Sequence, residues 1–148
     1  MTFQITSTAF KEMQTIPKKY SCEGEQVNPP LLISNVPQDA KSLALIMDDK
    51  DATRGVFIHW VAFNLPPNTK EIKEGVLPQG SVQGNNSAGK AGYVGPCPPP
   101  GKIHHYAFYL YALNTLLSLE VGASKEEVEQ ALAGHIIAQA KLTGIFER

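Results

Sequence analysis

An antiparallel β-rich fold, sandwich or barrel, is what this sequence predicts. Three observations carry the prediction. Several short runs alternate apolar and polar residues or are apolar throughout, as strands are. Only one segment has helical spacing and caps. Strands do not alternate with helices, so a doubly wound parallel sheet is not expected. At 148 residues the chain is long enough for one domain with its own core, residues 1–148.

In chain order, residues 3–7 set Phe3 and Ile5 against Gln4 and Thr6, a half-buried strand. Polar sequence follows through Pro17 and the turn at residues 21–25. Asn28-Pro29-Pro30 precedes Leu31-Leu32-Ile33, a short strand closed by Asn35-Val36-Pro37. Prolines at both edges predict an outer strand. Residues 42–47 (SLALIM) form an uninterrupted apolar run, the pattern of a strand covered on both faces, and run into Asp48-Asp49-Lys50-Asp51. Residues 57–66 (FIHWVAFNLP) form the next strand. Strict alternation puts Phe57, His59, Val61 and Phe63 on one face and Ile58, Trp60, Ala62 and Asn64 on the other.

Residues 67–90 read as loop, with one short strand around 81–83. Between residues 84 and 101 lie five of the twelve glycines and four of the eleven prolines, which exclude a continuous helix or strand. That rigid loop feeds residues 106–113, the strongest strand in the chain. Ser124 with Glu127 three residues on is a capping box. Val128, Leu132 and Ile136, with Ala131 and His135, make the apolar stripe of the helix it opens. Residues 141–146 (KLTGIF) close the chain as a strand.

Composition narrows the function classes. Thirteen basic and fourteen acidic residues leave a net charge of -1, with no basic block, so neither nucleic acid nor an anionic membrane surface is an expected partner. No apolar run approaches bilayer length. Residues 1–13 lack the pattern of a secretory signal, and the cytoplasm is the default location. Cys22 and Cys97 are then expected as two unpaired, reduced thiols, although both lie in Gly- or Pro-flanked loops where proximity is open.

Asp49, Asp51, His59, His104, His105 and Tyr106 all sit near strand ends. Three readings compete for them. Histidines and carboxylates ligate zinc or iron, but His104 and His105 point to opposite faces of a strand, and no H-x-H, H-E-x-x-H or C-x-x-C spacing is present. A hydrolase could use Cys97, held between prolines, but no helix N-terminus follows to activate it and G-x-S-x-G is absent. A small concave anion site, with imidazole, phenol and loop N–H groups donating and an Asp orienting them, uses all the residue types present and needs no nucleophile. A lone histidine among apolar neighbours is more often a hydrogen-bonded core residue, so the cluster, not any single residue, favours the third reading.

At these positions the chain resembles the phosphatidylethanolamine-binding protein family, in its short prokaryotic, Raf-kinase-inhibitor-like branch. CEGEQVNPPL (22–31) resembles the family's C-x-G-x-x-x-S-P-P-L segment, MDDKDAT (47–53) its D-P-D-A-P segment, and FIHW (57–60) the following H-W strand. GYVGPCPPPGKIHHYAFYLYAL resembles G-Y-x-G-P-x-P-P-x-G…H-R-Y-x-F, and GHIIAQAKLTGIFER the closing helix and strand. The resemblance implies a mainly β fold, an antiparallel β-sandwich of that family's type with one or two short helices near the C-terminus. It also implies an anion pocket of Asp49, His59, His104 and Tyr106, walled by Gly95, Cys97, Pro98 and Pro99.

Departures from the pattern are Lys50 and Thr53 for both prolines of D-P-D-A-P, Asn28 for Ser, Ile33 for a frequent Trp, and His105 for Arg. The cluster and the resemblance together make the expected role non-enzymatic binding of a small anion, phosphate or a phosphorylated head group, without a cofactor or metal, and with a regulatory use. The alternatives are a protein-interaction module acting on a kinase or protease, and a hydrolase or metal enzyme. A homodimer is implied by the resemblance alone.

Overall fold

A computed structural model describes all 148 residues. In it the apolar run at residues 42–47 forms the centre of a five-stranded antiparallel sheet. Its strands are β3 (Ser42–Asp49), β4 (Phe57–Leu65), β6 (Val82–Gln83), β7 (His104–Leu113) and β8 (Ile136–Phe146), in the order β6-β4-β3-β7-β8. All eight residues of β3 are buried, as a strand flanked and covered on both faces requires. The second sheet holds β1 (Gln4–Thr6), β2 (Leu31–Ser34) and β5 (Glu71–Ile72), in the order β1-β2-β5. The main core lies between the sheets and includes Phe10, Leu31, Leu45, Trp60 and Phe108. A smaller core on the other face of β3 and β4 joins Ile46, Val61 and Phe63 to helix α1 (Lys125–Leu132) through Val128 and Leu132.

Four expectations are corrected. β2 is the middle strand of its sheet, not an outer one. Its flanking prolines, Pro30 and Pro37, lie beyond the paired residues, so they remove no ladder hydrogen bond. The capping box is present, with the Ser124 hydroxyl accepting from Glu127 N–H and the Glu127 carboxylate from Ser124 N–H. α1 nevertheless stops at Leu132, before Ile136. Gly134 takes a left-handed turn (φ +82°) that reverses the chain into β8, which starts five residues earlier than the KLTGIF run.

The third correction concerns β4. The β3–β4 register passes from Met47–Trp60 to Asp48–Ile58, so His59 is the extra residue of a bulge. Ile58 thereby joins the face of Val61 and Phe63, and His59 leaves that face. Fourth, Cys22 and Cys97 are joined in a disulfide, not left as free thiols.

Candidate functional site

The bulge at His59 lets three strands converge on one cleft at the end of the five-stranded sheet. Asp49 is the last residue of β3 and is paired with Phe57 of β4 on one side and Tyr106 of β7 on the other. His104, two residues before Tyr106, shares its face of β7. Asp49, His59, His104, Gly95, Cys97 and Pro99 line a cleft of about 270 Å3. It also takes in Ala52, Thr53, Phe57 and Val94, which the sequence reading did not include in the pocket. The signal for Ala52 and Thr53 was their place immediately after Asp51, in the segment matched to D-P-D-A-P.

Both histidines are nearly sealed, His59 4% and His104 7% exposed. The His104 Nδ1–H donates to Asp49 Oδ2 over 2.7 Å, and Asp49 Oδ1 accepts the Asp51 backbone N–H over 2.8 Å. The His59 Nδ1–H donates to the Val94 carbonyl over 2.7 Å, while Val94 N–H donates back to the His59 carbonyl. A carbonyl can only accept, so the His59 proton sits on Nδ1. Burial holds the His59 imidazole below the usual histidine range, against the opposing pull of the Val94 carbonyl and Asp49. At neutral pH it is uncharged, and its Nε2 is a bare acceptor. Neither ring's Nε2 has a protein partner.

Two expected pocket residues lie off the cleft wall. Tyr106 is fully buried beneath the histidines, its ring edge-on to His59 (centroids 5.2 Å apart) and stacked on His104 at 6.4 Å. Its hydroxyl is buried without a partner, and burial pushes the phenol well above its ordinary pKa, so it stays a neutral donor. Pro98 is turned away, its carbonyl accepting from Arg148 Nε. Nor does Gly95 offer its N–H to a ligand, because that group donates to Gln26 Oε1. The role of Gly95 is close approach: a Cβ there would lie 2.2 Å from the Tyr20 carbonyl oxygen.

For the competing chemistries the geometry is specific. Cys97 is bonded to Cys22 and holds no thiolate in this state. No three His, Cys, Asp or Glu side chains converge in a metal-holding arrangement. No helix is long and apolar enough to cross a membrane.

The family model described as "Phosphatidylethanolamine-binding protein" matches residues 6–147. A UPF0098 protein of Methanothermobacter thermautotrophicus is 52% identical over 145 residues, 95% of each chain. One of Pyrococcus abyssi is 49% identical, covering 96% of this chain and 84% of that one. Among solved structures, a putative phosphatidylethanolamine-binding protein homologue from Chlamydia trachomatis superposes with a TM-score of 0.95 at 47% identity, covering 99% of this chain and 98% of the other. E. coli YbcL, described as a new member of the mammalian PEBP family, gives 0.93 at 34% identity over 100% and 99%.

Proposed function

The chain belongs to the phosphatidylethanolamine-binding protein family, and we propose that it acts as a non-catalytic receptor for a small anion, phosphate or a phosphorylated head group, in the cleft of Asp49, His59 and His104. The observation that supports this most is the pair of imidazoles whose Nδ1 atoms are tied inward, leaving two Nε2 atoms without protein partners. A space of about 270 Å3 lies just below the usual range of ligand pockets, about 300–1,000 Å3, and suits a head group better than a whole lipid.

The His59 imidazole, held neutral by burial with its proton on Nδ1, cannot donate from Nε2. An anion is therefore held by protons acquired on binding, or brought by a protonated ligand such as a phosphate monoanion. Affinity rises as pH falls below the ordinary histidine range, because His59 resists protonation until the anion compensates its burial. Calorimetric titration with phosphate and phosphoethanolamine, at several pH values and in two buffers of different ionisation heat, tests this. The expected result is saturable binding with proton uptake, strongest at acid pH and lost in His104→Ala. Affinity that is constant between about pH 5 and 8 removes the protonation step, and absence of saturable binding removes the receptor.

A second reading has its own support. Val56 and Ile103, 50% and 52% exposed, immediately precede β4 and β7 at the same end of the sheet. They would give a partner protein an apolar rim around the cleft, with an acidic or phosphorylated group seated inside. Retention of one stoichiometric partner by the wild type but not by His104→Ala would favour that reading.

A further inference from the structure

We propose that the Cys22–Cys97 disulfide is a redox latch on the cleft, so that reduction of the protein by a dithiol loosens one wall and weakens the ligand. This rests on the anion-receptor reading. Cys97 lines the cleft and is exposed, whereas Cys22 is half-buried and outside it. The bond joins positions separated by 75 residues and is the only covalent tie between the wall, residues 93–97, and the segment behind it, residues 20–26.

The remaining ties are three hydrogen bonds: Tyr93 hydroxyl to Tyr20 carbonyl at 2.9 Å, Cys22 N–H to Pro96 carbonyl at 3.0 Å, and Gly95 N–H to Gln26 Oε1 at 3.1 Å. Gln26, which supplies the last of these, is held in the left-handed region at φ +56°. A non-glycine residue stays there only while its surroundings enforce it. The wall also carries Val94, whose carbonyl and N–H both bond His59. Motion released at Cys97 therefore reaches Val94, three residues back along the wall, and through its two bonds to His59 the placement of that imidazole's Nε2.

One thiolate of a low-molecular-weight dithiol attacks the Sγ of Cys97, the exposed, cleft-lining member of the pair, forming a mixed disulfide and releasing Cys22 as a thiolate that takes up a proton. The second sulfur of the dithiol then attacks its own half of the mixed disulfide and releases Cys97. The protein gains two electrons and two protons, and the dithiol leaves as a cyclic disulfide. Thiols reach the bond from the cleft side, so a bound anion should also slow its reduction.

The test is calorimetry with inorganic phosphate on oxidised protein, protein reduced with dithiothreitol, and Cys22→Ser, together with hydrogen exchange at the Val94 and Gly95 amides. Expected are binding about tenfold weaker in the reduced protein and in the variant, from the loss of preorganisation, faster exchange at both amides, and recovery on reoxidation. Equal affinity of oxidised and reduced protein overturns the latch and leaves the anion reading standing; a crosslink serving stability alone predicts that result. If the oxidised protein binds no phosphate, the anion reading fails, and exchange alone decides: unchanged rates overturn the latch, faster rates sustain a hold on the wall.

Discussion

His104 and His105 are neighbours in the chain, and each donates Nδ1–H to an aspartate, over 2.7 Å to Asp49 and 2.8 Å to Asp51. Alternation along β7 sends them to opposite faces of the sheet. The inner pair has side-chain exposures of 9% and 5%, the outer pair 49% and 45%. Water can replace either partner of the outer pair at little loss, so its hydrogen bonds are worth a few tenths of a kcal/mol. At the inner pair little solvent competes, and removing one partner strands the other. The same imidazole–carboxylate unit is thus a surface ornament on one face and a site-forming device on the other.

The largest effect expected is from Asp49→Ala. It leaves His104 Nδ1–H and the Asp51 N–H without acceptors in a nearly closed site, and it should cost about 3 kcal/mol in chemical denaturation as well as phosphate binding. A loss below about 1 kcal/mol would mean that water enters the inner site freely, and the contrast between the faces would collapse.

A smaller effect follows from His59, whose depressed pKa means that the unfolded chain takes up a proton more readily than the folded one. Its contribution to stability is complete above the unfolded value, near 6.5, and declines as pH falls from there toward the lower folded value. Denaturation midpoints taken at pH 8, 6.5 and 5 should fall through this window in the wild type and fall less in His59→Gln. Equal slopes in the two proteins would place the acid sensitivity elsewhere.

Sequence patterns showed β3 and β7 because an uninterrupted apolar run and an aromatic-rich one have few other uses. They showed the Ser124–Glu127 cap because its signal is local. The strand-end positions of Asp49, His59 and His104 were legible for the same reason. What failed depended on partners far away in the chain. Strict alternation put His59 with Val61 and Phe63, and only the register against Met47 and Asp48 reveals the bulge that turns it to the cleft. Val128, Leu132 and Ile136 lie at helical spacing, yet Ile136 pairs with Leu113 across the sheet. The disulfide joins two loops that no periodic pattern relates, and Pro98 faces Arg148 because the C-terminal residue packs against the loop.

The smallest effect, and the sharpest control, belongs to Asp51→Ala. Asp51 Oδ2 accepts both the backbone N–H and the Nδ1–H of His105. Those two bonds, the Nδ1–H bond first, hold its carboxyl below the usual aspartate range. A depressed carboxylate stabilises the fold above its unfolded pKa, near 3.8, and loses that contribution as pH falls through the lower folded value. The group is exposed and screened, so the substitution should cost less than about 0.5 kcal/mol at neutral pH, shrinking with added salt and vanishing in strong acid. The hydrogen bond from residue 51 to the inner site is made by its backbone N–H to Asp49 Oδ1, alanine keeps that donor, and the carboxylate's Coulombic reach to His104 and Tyr106 ranks behind its bonds to His105. Phosphate affinity should therefore match the wild type while Asp49→Ala abolishes it. If affinity falls in Asp51→Ala as well, the outer carboxylate is coupled to the cleft through the shared strand end, and the two faces form one electrostatic unit.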